Sequence, residues 1–530
     1  MATVTLQKAL GAFYTDEPAV HRLVEWTICS GSNSVLDPSC GDGAFLAASH
    51  DRLLRLGSAS TKVYGVDVSA DALRIARERV RSARLFNKDF FDLTPDALPR
   101  FDCVVGNPPF IRYQTFNGEN TSKGHVRAKE AGVALPRLAS SWAPFVVHAT
   151  QFLREGGRMG MVMPAELGHA KYARDVLRFL LEQFRHVGIE MFRDKMFGGL
   201  SQSTVLLLCD GYGEPCRKLI ISSSDDMKGT SRQLVRADVD AVKSGRFRFT
   251  HYLVPESVRV LYESLAADSR VKRLGEIADV GIGYVTGAND FFHLSLQERQ
   301  ELEIPAQFLR PAVLNLRNVR DVQYTRDHWL ARRAAGEKAY LLAIPAVPKD
   351  TLPLHLQSYL QKGEVSGVSD RYKCRIRQYW YVVPHVRTAD AFLSYMSGGQ
   401  PLLVTNAANL VAPNTVHLLR FARGHDPLCY ASSWGNSLTR LSCELEGHAL
   451  GGGLFKLEPS EAENVLVLQP SAAQVKVLTT QLPCLMAHSP ERAADVADRY
   501  VLKGRLGLTA SEIHALRDAA LKVESWRKHR

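Results

Sequence analysis

Over the first 210 residues, short apolar β-rich runs alternate with amphipathic stretches of helical spacing. Val35-Leu36 and residues 62–66, 101–105 and 159–163 read as strands, and residues 71–83 and 171–184 as helices. Strand–helix alternation of this kind predicts an α/β fold with a parallel sheet covered by helices. The pattern changes near residues 240–255. A short helix-like run at 255–265 is followed, over 274–470, by irregular spacing, more proline and many short β-like runs. This predicts a second, α+β domain, richer in loops. The last 45 residues return to helix, and Thr509-Ala510-Ser511-Glu512 has capping-box spacing. The expected division is 1–245, 246–480 and a helical tail at 481–530. No internal repeat or low-complexity segment interrupts it.

Length agrees with this division, since 530 residues allow two to four domains of roughly 100–200 residues each. A hydrophobic share of 45% with 23% charged residues excludes a wholly disordered chain. No run of about 18 apolar residues is present, so no membrane span is expected. The amino terminus lacks a basic start followed by an apolar stretch, so no secretory signal is expected. Nine cysteines without a Cys-x-x-Cys pair argue against a disulfide framework or zinc ribbon, and no metal is expected. The net charge of +11 fits a polyanionic partner without establishing one. It splits into +6 over residues 1–250 and +5 over 251–530, so neither half is a basic tail. A cytoplasmic enzyme fits these features.

Candidate chemistry lies in the first half. Val35-Leu36-Asp37-Pro38-Ser39-Cys40-Gly41-Asp42-Gly43-Ala44-Phe45-Leu46 reads as strand, glycine-bearing turn and helix. Glycines let a backbone approach a ligand, and carboxylates at the turn can accept from a cationic amine. A tight turn without a ligand would look similar. Asp67 ends the second strand about 25 residues later, where mononucleotide-binding sheets take ribose hydroxyls. Asn87-Lys88-Asp89-Phe90-Phe91 follows near the end of a third strand. Each acid alone could be a solvated loop residue or a cap, but three at successive strand ends share one edge of a parallel sheet. Gly106-Asn107-Pro108-Pro109-Phe110 follows the fourth strand. Its two prolines fix the backbone and remove two N–H donors. The neighbouring carbonyls and the Asn107 side-chain oxygen are acceptors suited to an –NH2 group, and Phe110 offers a flat face to a ring. A rigid turn with a surface aromatic is the plainer alternative.

In this order the motifs resemble those of S-adenosylmethionine-dependent amino-methyltransferases. Gly11-Ala12-Phe13-Tyr14-Thr15 resembles the segment before the cofactor turn in the gamma class of N6-adenine DNA methyltransferases, the TaqI-like enzymes of type II restriction–modification, with Asp16 in place of the usual Pro. Further resemblances are Ser141-Trp142-Ala143-Pro144-Phe145, Gly156-Gly157-Arg158, Val162-Met163-Pro164 and Met196-Phe197-Gly198, with core packing the alternative for Phe145 and Phe197. The resemblance covers roughly residues 8–210. It implies a Rossmann-like S-adenosylmethionine-dependent methyltransferase domain with a mixed, mostly parallel sheet. It implies that Asp37, Pro38, Cys40, Gly41 and Gly43 wrap the methionine part of the cofactor, approached by Thr15. Asp67 would take the ribose hydroxyls, and Asp89 the cofactor adenine amino group beside the Phe90 backbone. In the loop Asn107-Pro108-Pro109-Phe110, the Asn107 side chain and the Pro108 carbonyl would bind the N6 amino group of a flipped adenine. Phe110 and Phe197 would stack on that base. Methyl transfer is then direct, so neither Cys40 nor Cys103 is expected to act as a nucleophile.

In the second half, residues 371–377 alternate strictly. As a strand they would place Arg371, Lys373, Arg375 and Arg377 on one face, suited to a phosphate backbone, with a solvated edge strand as the alternative. Residues 281–292, 406–414 and 451–454 resemble segments of target-recognition domains in the same enzymes. Asp210 and Asp226-Met227-Lys228 suggest a nuclease motif only loosely, so a cognate restriction endonuclease is expected as a separate chain. The expectation is a monomeric, site-specific methyltransferase of duplex DNA in a bacterial or archaeal cytoplasm, associated with the nucleoid. Two rivals remain: amino methylation of RNA or of protein glutamine, and a non-catalytic DNA-binding subunit. A cofactor turn by residue 37 with a long second half favours DNA.

Overall fold

The computed structural model describes residues 16–111, 119–193, 204–226, 232–244, 248–450 and 453–529. Thr15 and Phe197 lie outside them. The chain forms two compact units that meet in sequence at Leu253 and Val254.

The first unit is built on one nine-stranded sheet. Its strands are β1 (Ser34–Asp37), β2 (Lys62–Asp67), β3 (Arg84–Asn87), β4 (Phe101–Gly106), β5 (Leu153–Pro164), β6 (Phe184–Phe192), β7 (Thr204–Tyr212), β8 (Lys218–Ser224) and β9 (Gln233–Ala237). Their spatial order is β3-β2-β1-β4-β5-β7-β6-β8-β9. The first five run parallel, β7 is antiparallel to both β5 and β6, and β9 is antiparallel to β8. The sheet is thus mixed and mostly parallel, as the resemblance implied. All four residues of β1 are buried, as are the last six of β5. Unbroken burial of this kind belongs to strands covered on both faces.

Helices α1 (Glu17–Thr27), α2 (Ala44–Arg55), α3 (Ala70–Arg79), α4 (Glu119–Glu130), α5 (Trp142–Thr150) and α6 (Ala173–Gln183) accompany the sheet. Ser69 starts α3 by accepting the Ala72 amide at 3.2 Å, an ordinary N-cap. The helix expected at 71–83 ends at Arg79. That expected at 171–184 passes straight into β6 at Phe184, where the β-branched and apolar run takes over.

Among the described residues the second unit holds four small antiparallel sheets and many short helices. Its four-stranded sheet runs Ala278–Ile282, Val416–Phe421, Ala391–Ser394, Leu403–Thr405. Phe392, Leu342, Leu356 and Leu360 sit in its core. Residues 481–530, expected as a separate tail, belong to this unit as far as Lys528. Buried charge explains the attachment. Arg527, on the helix Ala510–His529, donates to both carboxylate oxygens of Glu444 at 3.0 and 2.9 Å and to the Gly453 carbonyl at 2.6 Å. Asp498 accepts the Ser437 amide and hydroxyl, both at 2.7 Å, and pairs with Arg517 at 2.6 Å. The capping box at Thr509 and Glu512 forms as its spacing predicts.

One expected strand is absent. Tyr372–Arg375 is a helical turn preceded by Arg371. Its alternation does not mark faces, because Cys374 is fully buried while Ile376 is 59% exposed. Cys374 packs under Gly287, where an added Cβ would meet its sulfur at 3.2 Å. The four cations therefore do not form a row. Arg371, Lys373 and Arg375 are exposed, but Arg377 turns inward and donates to the carbonyls of Val285 and Thr286 at 2.8 and 2.7 Å.

Among the described residues no helix is long and apolar enough to cross a membrane. Burial pushes the Glu444 carboxyl up despite its arginine partner, the mark of an ion pair paying for desolvation. Glu444→Ala leaves Arg527 buried and uncompensated, so it should cost the second unit about 3–5 kcal/mol in urea unfolding. A change within the error of the wild-type curve would contradict that.

Candidate active site

Because β1, β2, β3 and β4 run parallel, their carboxyl ends lie on one edge. The order reverses between β1 and β4, and at such a switch point the loops diverge and leave a crevice. Asp37 and Asp67 end their strands, and Asp89 and Asn107 follow theirs, all on this edge.

The turn after β1 is held from several sides. Gly41 and Gly43 take φ of +51° and +87°, where a side chain would be strained. A Cβ on Gly43 would also meet that of Ala76 at 2.9 Å, so glycine here brings α2 and α3 together. Asp42 pairs with Arg79 at 2.9 Å. Pro38 and Cys40 are buried. Burial, then Asp37 and Asp67, push the Cys40 thiol far up, and burial pushes Cys103 up to about 12. Both thiols stay protonated, which is the wrong state for a nucleophile.

Asp67 accepts the amides of Gly41 and Ser69, both at 2.8 Å, and so ties the turns after β1 and β2 together. Asp89 accepts the Phe91 amide at 2.9 Å and caps a short 3-10 turn. The Phe90 ring points into the core, 5.0 Å from those of Phe145 and Phe152 and 4.8 Å from His148. Only the Phe90 backbone is left for a ligand, and Phe145 is a core residue. His148 is kept neutral, with burial lowering it to about 4.

Asp37 is the unusual group. It is 1% exposed. One oxygen accepts the Ser39 amide at 3.1 Å, and the other is buried with no hydrogen-bond partner among the described residues. Burial raises its carboxyl to about 8, with Asp67 and Asp42 adding to the shift and the Ser39 amide opposing it. Gly106 packs directly on it, since a Cβ there would lie 2.8 Å from Asp37 Oδ1. The ends of β1 and β4 are therefore in contact.

The Asn107-Pro108-Pro109-Phe110 loop is tied at both ends by serines. The Ser39 hydroxyl donates to the Asn107 carbonyl at 3.0 Å. The Ser141 hydroxyl donates to the Pro109 carbonyl and accepts the Ile111 amide at 2.8 Å, while the Ser141 amide donates to the Ile111 carbonyl at 3.1 Å. Phe110 ends the loop, 8% exposed. Trp142 Nε1 donates to Glu166 Oε2 at 3.2 Å and meets the Tyr172 hydroxyl at 3.1 Å. Sequence reasoning missed Ser39, Gly106 and Ser141. Ser141 did carry a signal, a serine pair before an apolar helix, but that signal reads as a cap, and its hydroxyl serves the loop instead. Asp210, the candidate nuclease acid, lies in β7 and faces His186 at 3.2 Å.

The N-6 DNA Methylase family model matches residues 1–210. The C-terminal domain of type II methyltransferase M.Eco57I matches residues 246–502. Residues 1–210 thus carry an N-6 DNA methylase domain, and the chain is similar to type II methyltransferases. The type II methyltransferase M.AccI of Acinetobacter calcoaceticus is 20% identical over 427 residues, covering 78% of this chain and 76% of that protein. A release factor glutamine methyltransferase of Chlorobaculum tepidum is 32% identical over 199 residues, covering 35% of this chain and 62% of that protein. Among solved structures, the type IIL restriction–modification enzyme MmeI in complex with DNA covers 96% of this chain with a TM-score of 0.59 and 11% identity, a likeness of fold. Of these, the release factor relative is confined to about a third of the chain, whereas methylase and M.Eco57I matches together reach both units.

Asp37 gives this methylase unit a pH signature. Its folded value lies above the ordinary 3.8, so its contribution to stability is complete below about pH 4 and is lost as pH rises to about 8. Asp37→Asn removes that slope. The melting temperature of the variant relative to wild type should climb between pH 4 and 8 and stay level above. A difference constant across that range would contradict the assignment.

Proposed function

We propose that this N-6 DNA methylase is a gamma-class, site-specific enzyme that methylates N6 of a flipped adenine in duplex DNA, with Asn107 and Pro108 as the groups that hold the reacting amine. The observation that carries this is the loop itself: an asparagine side chain and a proline carbonyl on a backbone stiffened by two prolines, beside a second turn pinned by Asp67.

The cofactor site fits S-adenosylmethionine. A buried carboxylate oxygen without a partner at Asp37 and a turn of two positive-φ glycines suit a ligand that is cationic and closely wrapped. Asp37, Pro38, Cys40, Gly41 and Gly43 would hold its methionine part, Asp67 its ribose, and Asp89 with the Phe90 backbone its adenine. When bound, it supplies an electrophilic methyl group on a sulfonium.

The residues of this chain do the rest. An adenine amine is a poor nucleophile because its lone pair is delocalised into the ring. Two acceptors, Asn107 Oδ1 and the Pro108 carbonyl, draw both N–H groups out of the ring plane and localise the lone pair. They also stabilise the positive charge that develops on nitrogen as it takes the methyl group. The amine then loses one proton to water. Extruding the base costs a few kcal/mol of stacking, and Phe110 returns about 1–3 kcal/mol by offering its face. Exposed Arg371, Lys373 and Arg375 are available to phosphates. The chain works in a bacterial or archaeal cytoplasm at the nucleoid, as a monomer, with any cognate endonuclease a separate chain. Glutamine methylation is the second reading, favoured by the release factor relative. Against it stands the match of residues 246–502 to the M.Eco57I domain.

Asn107→Ala should lower methyl transfer to duplex DNA by at least about 100-fold while cofactor affinity by calorimetry changes little. Turnover unchanged in that variant, or label entering release factor and not DNA, would refute the reading. Phe110→Ala should reduce the fluorescence rise of 2-aminopurine placed at the target position. An identical response in variant and wild type would count against stacking.

A further inference from the structure

Pro108 and Pro109 have no N–H, so the loop that follows β4 cannot be fixed there by amide hydrogen bonds. It has to be fixed through its carbonyls. Three of these follow one another, at Asn107, Pro108 and Pro109. The outer two are engaged, that of Asn107 by the Ser39 hydroxyl and that of Pro109 by the Ser141 hydroxyl. Among the described residues no hydrogen bond reaches the carbonyl of Pro108.

We propose that Ser39 and Ser141 are positioning residues that clamp this loop from its two ends and take up its outer carbonyls, so that the Pro108 carbonyl alone is left to meet the substrate amine beside the Asn107 side chain. The inference rests on the reading of the loop as the amine site. Both serines are placed for the task and have no other. Ser141 is buried and leaves its own helix uncapped, and its amide and hydroxyl together hold Ile111. Ser39 joins two turns: its amide donates to Asp37 Oδ1, in the turn that wraps the cofactor, and its hydroxyl to Asn107. The amine site is thereby held in register with the methyl donor's turn, and a displacement of about 1 Å between reacting groups costs on the order of 100-fold in rate.

The test uses the full chain with unmethylated genomic DNA and compares Ser39→Ala, Ser39→Thr and Ser141→Ala with wild type. Melting temperature, cofactor affinity and single-turnover methyl transfer are measured for each. Both alanine variants should transfer about 10–100-fold more slowly, with cofactor affinity within about threefold of wild type. Threonine, which keeps the hydroxyl, should restore position 39 to within about threefold. Should Ser141→Ala fail to fold, the Ser39 pair decides. Alanine variants as fast as an active wild type overturn the clamp alone, as does a loss at position 39 that threonine leaves unrestored. A wild-type chain that transfers no methyl to adenine overturns both the clamp and the reading beneath it.

Discussion

The contact between Gly106 and Asp37 makes one site out of two turns. Parallel strands bring their carboxyl ends to the same edge, but the reversal of order between β1 and β4 would ordinarily open a gap there. A residue without a side chain at 106 lets the end of β4 lie on the Asp37 carboxylate. The Ser39 hydroxyl then reaches the Asn107 carbonyl from the adjacent turn. The turn after β1 and the loop at Asn107 are thus parts of one hydrogen-bonded unit. The remaining acids support it: Asp67 binds the turns after β1 and β2, and Asp89 caps the segment after β3.

Much of this was legible in the sequence because its signals are local. β1, β2 and β4 are apolar runs ending in glycine or acid and lie where their runs predicted, while β5 starts six residues before its expected run at 159–163 and takes in Gly156-Gly157-Arg158. Asp67, Asp89 and Asn107 were found for the same reason, at strand ends or just after them. Signals that depend on packing failed. Residues 371–377 alternate with period two, yet tertiary packing of Cys374 under Gly287 and of Arg377 on two carbonyls turns them into a helical turn. The helix Ala510–His529 reads as a tail because it is amphipathic and terminal; the buried partner that draws it in, Glu444, lies 83 residues away from Arg527. Ser39 and Ser141 stood within quoted motifs but carried no assigned role, because serine in a turn or before a helix has several commoner uses.

Buried charge occurs in two forms, matched and unmatched. In the second unit, burial of charge is matched, with Arg527 on Glu444 and Arg517 on Asp498, and contributes to a fixed core. In the first unit, Asp37 is buried with one oxygen unmatched and its carboxyl raised to about 8. An unmatched buried group costs stability unless something arrives to pair with it. That cost falls on the turn proposed to hold a cationic ligand, which would pair with this carboxyl.

Methylation of adenine at a defined DNA site is the activity proposed for the loop at Asn107. Sequencing that detects N6-methyladenine, applied to DNA from cells expressing the chain in a background without other adenine methylation, tests it most directly. The account predicts methyl groups on adenine N6 at nearly every copy of one short motif. DNA without methylated adenine from cells holding abundant folded protein, or methylation confined to cytosine, would contradict it.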